Sequence, residues 1–396
     1  MPHDISLIST IAVGLAFAFI GGFIAVRLGL PPLVGYLLAG VAVGPFTPGF
    51  VADVQLAPQL AEIGVILLMF GVGMHVSLRD LLAVKRIAIP GALAQMALAT
   101  ALGCGLALTW GWPVSAGLVF GLALSVASTV VLLRALEAQG SMDSEVGRIA
   151  VGWLIVEDLL MVLALVMLPA LAPTDGEAGA SGSALWATLG ITLGKVGLFI
   201  ALMLVVGMRL FPWLLTQVER TGSRELFTLA VMALALGIAF GSAALFGVSF
   251  ALGAFFAGVV INESDLSHRA AAESQPLQDM FGVLFFVSVG MLFDPMVLVQ
   301  QPLQVLMVVA VIVVGKTAAA LAIVRLLGYP MSTAVTVSAS LAQIGEFSFI
   351  LAGLGVALDL LPKEAGNLIL AGALLSITLN PLTFRVMARL LTTKAG

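Results

Sequence analysis

GWLIVEDLLMVLAL, residues 152–165, places two adjacent carboxylates, Glu157 and Asp158, in the middle of an otherwise apolar run. The run belongs to a longer stretch, 146–170, that can cross the roughly 30 Å hydrocarbon core of a bilayer as a helix. An acid at that depth costs about 3 kcal/mol or more, so it marks a functional site by default. Neighbours on a helix point about 100° apart, so Glu157 and Asp158 face different surroundings. One is expected to face a neighbouring helix and the other a water-filled cavity. Burial penalises the charged form of both. Such a pair holds a proton or a cation, but not both well, and that competition is the physical basis of exchange.

The rest of the chain supports a bilayer setting. Its 396 residues are 61% hydrophobic and 10% charged, with mean hydropathy +1.17, more apolar surface than a soluble fold can hide. Ten-residue alternating strand patterns are absent, so an outer-membrane barrel is not expected. Forty-three glycines let helices approach closely in lipid. The net charge of -4 points to no particular partner, and no nucleic-acid partner is expected. Cys104 is the single cysteine, so there is no disulfide framework, and it reads as a packing residue. The N-terminus, MPHDISLIST, lacks a basic segment, so the first apolar run reads as a retained helix.

Apolar stretches fall at 5–26, 32–45, 57–75, 87–110, 113–136, 146–170, 184–212, 225–243, 246–262, 276–293, 298–327, 331–356 and 365–391, about thirteen predicted transmembrane helices. With that count, one set of connections collects Arg27, Arg79, Lys85, Arg86, Arg134, Arg148, Arg209, Arg220, Arg224, Arg269, Arg325, Arg385, Arg389 and Lys394. The other set holds Lys363 and an acidic loop with Asp175 and Glu177. Basic loops face the cytoplasm, so the N-terminus is predicted outside and the C-terminus cytoplasmic. Lys195 and Lys316 lie inside spans; Lys195 reads as snorkelling to the interface.

The chain repeats itself. GLPPLVGYLLAGVAV (29–43) aligns on GVSFALGAFFAGVVI (247–261), and LAEIGVILLMFGVGM (60–74) on LQDMFGVLFFVSVGM (277–291). The offsets, 218 and 217, nearly agree, and Glu62 falls on Asp279. The paired spans start on opposite sides, which predicts two inverted six-helix repeats, about 5–170 and 225–391, joined by a linker helix at about 184–212. Glu62 and Asp279 lie near span ends and read as gating or packing residues. Polar residues interrupt two spans. They are Ser125, Ser128 and Thr129 in one, and Ser338, Ser340, Gln343, Glu346 and Ser348 in the other. Thr129 plus 217 is Glu346, so the interruptions are equivalent and predict broken crossing helices. Such helices expose backbone carbonyls and half-helix ends at the midplane, a transporter device. Lys316 is the expected counter-ion of the acidic pair. His3, His75 and His268 fall outside the membrane core, so no transition-metal cluster is expected. No phosphate-binding loop for ATP is visible, and no catalytic constellation supports an enzyme.

LGLPPLVGYLLAGVAVGPF, LAEIGVILLMFGVGM, LSVASTVVLLRAL, IVEDLLMVLAL, SFALGAFFAGVVINES, VLFFVSVGMLFDP and SLAQIGEFSFIL together resemble the monovalent cation:proton antiporter-2 family, nearest its Kef-type potassium/proton antiporters. The resemblance covers essentially the whole chain. It implies a Na+/H+ antiporter-like fold, a homodimer with separate dimerisation and core domains, and an elevator-like motion. It places Asp158 at the family's ion-binding aspartate, with the monovalent cation there, and Lys316 at its core lysine. The residue before that aspartate is Gln in glutathione-gated Kef proteins and Asp in several sodium/proton antiporters. It is Glu here, which leaves ion choice, stoichiometry and glutathione gating open. Kef-type proteins usually continue into a cytoplasmic nucleotide-binding domain. The sequence stops at LLTTKAG without one, so no cofactor is expected in this chain. A nucleotide would bind only in such a domain, and a regulatory domain or ancillary cytoplasmic subunit would meet the cytoplasmic side. The expectation is an inner-membrane antiporter exchanging K+ or Na+ for H+. A gated K+ channel on the same scaffold would instead give unitary currents. A small organic anion symporter would favour arginine over an acidic pair, and a scaffold would carry no flux.

Overall fold

A computed structural model describes residues 6–48, 56–75, 78–138, 140–141, 144–171 and 182–392. The acidic loop with Asp175 and Glu177, Lys394, His3 and the side chains of His75, Arg79, Arg134 and Arg389 lie outside the described residues. Helices follow one another as α1 (Ser6–Arg27), α2 (Pro32–Val43), α3 (Leu56–His75), α4 (Leu78–Thr109), α5 (Val114–Ser125), α6 (Thr129–Ala138), α7 (Glu145–Leu171), α8 (Gly182–Leu202) and α9 (Met208–Glu219). They continue as α10 (Arg224–Phe246), α11 (Phe250–Asn262), α12 (Ser267–Met291), α13 (Val297–Gln300), α14 (Pro302–Ala310), α15 (Lys316–Leu326), α16 (Met331–Ser340), α17 (Glu346–Ala357) and α18 (Lys363–Thr392). Five-residue π-helical turns, Met203–Gly207 and Val311–Gly315, join α8 to α9 and α14 to α15. No strand occurs among the described residues. Eight helical segments there are long and apolar enough to cross a membrane, and four apolar helices are shorter.

Local chemistry sets the boundaries. Ser223 caps α10, accepting the Leu226 N–H at 3.2 Å, and Ser249 caps α11, accepting the Leu252 N–H at 3.3 Å. Between them Gly247 turns left-handed (φ 65°) and ends α10, its N–H bonded to the Ala243 carbonyl. Gly29, its counterpart at offset 218, is also left-handed (φ 73°), and Pro32 then opens α2.

The chain forms two compact units. One comprises Met1–Leu15, Ala52–Val76 and Val162–Ser288. In it α3 crosses α11 at backbone distance: a Cβ on Gly73 would overlap the Phe255 carbonyl, and one on Gly258 the Phe70 carbonyl. Arg224–Glu273 (2.8 Å) and Arg269–Glu219 (3.3 Å) pair at its polar end. Lys195 is exposed on α8. The other unit comprises Ala16–Val51, Ser77–Met161 and Val289–Gly396. There α1 meets α2 at Gly21 and Gly35, and α4 meets α5 where Gly121 sits under the Thr100 carbonyl and Gly117 faces buried Cys104. Gly290 lies against the Leu37 carbonyl. The sequence-predicted repeats therefore do not map one to a unit. Each unit draws on both.

Candidate ion-exchange site

The second unit contains every polar residue of the two interrupted spans and the acidic pair. Helix ends appear where the sequence changes from Leu/Ala/Val to Ser/Thr/Gln. α5 stops at Ser125, and Val126 is extended (φ -98°, ψ 132°). α6 starts at Thr129. α16 stops at Ser340, and α17 starts at Glu346. Residues 126–128 and 341–345 are thus non-helical, and their backbone groups must find partners elsewhere.

They find them in each other. The Gln343 side chain accepts the Ser128 N–H (2.8 Å) and donates to the Ser128 carbonyl and the Ser340 carbonyl (both 3.2 Å). Ser128 Oγ donates to Glu346 Oε2 (2.9 Å). A Cβ on Gly345 would overlap the Ser128 side chain, so the approach of the two breaks requires glycine there. Gly345→Ala is expected to part the breaks. It should cost about 1–3 kcal/mol of stability as an overpacked core does and slow transport. Thermal unfolding and flux at wild-type values would contradict this.

Glu157 and Asp158 close the arrangement from α7. Glu157 Oε2 accepts the Ala127 N–H at 2.9 Å, and Asp158 Oδ2 accepts the Thr129 hydroxyl at 3.2 Å. Asp158 Oδ1 is buried and unpartnered, whereas the second side of Glu157 meets the indole N–H of buried Trp153. Glu157, Lys316, Gln343, Ser125 and Ser128 are 0% exposed, Glu346 1% and Asp158 2%, so the site is closed off from bulk water. Thr129 is half-buried. Acids and a lysine at this depth stand beside half-helix ends whose partial charges they complement. Glu157 and Glu346 lie by the N-terminal ends of α6 and α17, and Lys316 lies by the carbonyls that follow α16.

The remaining predicted residues take the following places. A direct Glu157–Lys316 ion pair does not form: the described pairs within 4.0 Å are the two surface ones above. Lys316 Nζ donates instead to the Gln343 carbonyl at 2.9 Å, because that carbonyl belongs to a broken helix and lacks a helical donor. Glu157 acts on Lys316 through space. The Ser125 hydroxyl donates back to the Leu122 carbonyl at 2.7 Å. Glu62 and Asp279 belong to the other unit and are exposed on α3 and α12, where Asp279 accepts from Gln275 at 2.9 Å. Sequence reading also missed two amides. Gln95 donates to the Ser125 carbonyl at 3.1 Å and Asn380 to the Ala339 carbonyl at 3.1 Å. Each is an amide set in an apolar stretch of its helix, which was the available signal.

The profile of the family described as sodium/hydrogen exchanger, transmembrane, matches residues 15–390. The chain is 62% identical over 391 residues to the putative cation/proton antiporter YbaL of Escherichia coli (strain K12), spanning 99% of this chain and 70% of that one. It is 34% identical over 386 residues to K(+) efflux antiporter 4 of Arabidopsis thaliana, spanning 97% of this chain and 64% of that relative, less than two thirds of its length. The solved sodium proton antiporter MjNhaP1 of Methanocaldococcus jannaschii, at pH 8, superposes with TM-score 0.72 at 16% identity, covering 98% of this chain and 99% of that one. The fold is thus of the sodium/proton antiporter type.

Proposed function

Since the chain belongs to the sodium/hydrogen exchanger transmembrane family, we propose that it is a secondary antiporter exchanging a monovalent cation, K+ first and Na+ second, for H+ across the bacterial inner membrane. The observation that carries this is Asp158: buried, held through Oδ2 by Thr129, with Oδ1 free at the meeting of two broken helices. A carboxylate so placed takes a cation when ionised and none when protonated, so each ion displaces the other. Glu157 and Glu346 are committed to the Ala127 N–H and the Ser128 hydroxyl, and they hold the crossing in register. Lys316 satisfies the Gln343 carbonyl. The K+ preference draws on the name of the Arabidopsis relative; oxygen ligands suit Na+ too.

The inverted-repeat architecture is part of the same proposal. It is supported by recurring contacts: Gly73 against the Phe255 carbonyl has its counterpart, by the 217 and 218 offsets, in Gly290 against the Leu37 carbonyl. A homodimer working by an elevator-like motion is the expected assembly for this architecture. A proteoliposome assay with an entrapped pH dye, comparing K+, Na+ and Li+, tests the function. Saturable, cation-driven proton movement is expected, with K+ most effective. Unitary K+ currents without proton movement would favour a channel and overturn the reading. The basic loops predict a cytoplasmic C-terminus; a reporter fused after Gly396 should read as cytoplasmic, and a periplasmic signal would invert the topology.

A further inference from the structure

Three buried side chains hold one five-residue stretch, Ser125–Thr129, and two of them, Gln95 and Asp158, leave an oxygen unpartnered. Gln95, from α4, donates Nε2–H to the Ser125 carbonyl at 3.1 Å, and its Oε1 is free. Glu157 accepts from Ala127 and meets the Trp153 indole, while Asp158 accepts from Thr129 and keeps Oδ1 free. Gln95 and Glu157 are 0% exposed and Asp158 is 2% exposed. Four residue steps span at most about 14 Å when fully extended, which bounds the separation of the Ser125 and Thr129 anchors. A buried oxygen without a donor is uncommon, and Gln95 Oε1 and Asp158 Oδ1 are two such oxygens on side chains anchored to one break. Amide and carbonyl oxygens replace the hydration shell of monovalent cations where water is excluded.

We propose that Gln95 is a ligand of the transported cation, its Oε1 supplying a neutral oxygen beside the two carboxylates. The inference rests on the exchange reading above. Because the oxygen is neutral, Gln95 adds coordination without adding charge. It therefore sets how tightly, and which, cation is held, while Asp158 sets whether one is held. A Gln95 that only caps the Ser125 carbonyl would use Nε2 alone and would affect stability without affecting ion preference.

The test uses Gln95→Met, which removes the amide, and Gln95→Asn, which withdraws it by one methylene. Exchange against K+, Na+ and Li+ concentration is measured in proteoliposomes. Thermal unfolding in detergent is followed with the same cations at constant ionic strength in choline chloride, which reads binding without transport. Both variants are expected to need about tenfold more of the preferred cation for half-saturation, a loss of one ligand's worth of affinity. Maximal rate should stay within about threefold, and the K+/Na+ preference should change. If Gln95→Met does not fold, Gln95→Asn decides by the same reading. Half-saturation and preference equal to wild type in both assays would overturn the proposal and leave the exchange reading intact. A wild-type protein that neither exchanges nor is stabilised by any of the three cations would overturn both.

Discussion

Asp158→Asn is expected to abolish coupled exchange while leaving a folded protein. Asparagine keeps the shape and can still accept the Thr129 hydroxyl bond (3.2 Å in the wild type), but it carries neither charge nor exchangeable proton. Removing the charge from a desolvated ion contact costs about 3–5 kcal/mol, which is roughly a 100-fold loss or more at 1.4 kcal/mol per decade. Flux should fall by that factor, and thermal stability should hold or rise, since a buried charge has gone. Wild-type coupled flux in this variant would remove Asp158 from the carrier role.

The largest stability effect is expected at Lys316. Lys316→Met fills the volume but strips the Gln343 carbonyl of its donor, 2.9 Å away in the wild type. It also leaves Glu157 buried without the positive charge that acts on it. Breaking such an arrangement from one side costs about 3–5 kcal/mol, read as a lower midpoint of thermal unfolding in detergent. Glu157→Gln alone should cost less, because Gln can still accept the Ala127 N–H, and exchange should persist. Adding Glu157→Gln to Lys316→Met should recover about 1–2 kcal/mol, the coupling expected of neighbours that share a field without touching. Strictly additive losses would mean that Glu157 and Lys316 are independent.

Much of this was legible in the sequence because a bilayer demands long apolar runs. The first predicted span, 5–26, is Ser6–Arg27 in the structure, and 146–170 is Glu145–Leu171. Hydropathy reads only the membrane-depth part of a helix, however. α4 begins at Leu78 and α12 at Ser267, about nine residues before the apolar stretches 87–110 and 276–293, because their first turns are polar yet helix-compatible. The π-helical turn Val311–Gly315 was invisible, since VIVVG is as apolar as its surroundings. At the site, helix ends fall where the polar residues interrupt the two spans, Ser128 meets Gln343 and Glu346 between them, and Thr129 bonds Asp158. Partner choice was not legible. Whether Lys316 meets a carboxylate or a carbonyl, and whether Ser125 points across or back, depends on where each helix ends to within one residue. Gln95 and Asn380 were passed over because an amide in an apolar stretch of a helix ordinarily finds a local partner; here both reach the end of another helix.

The central claim is that cation and proton compete for Asp158. It is tested most directly by counting protons released when K+ or Na+ is added to the purified protein in a weakly buffered detergent solution containing a pH indicator. Wild-type protein should release protons saturably with added cation, and Asp158→Asn should release none under the same conditions. No release from wild type, or equal release from both proteins, would contradict the account.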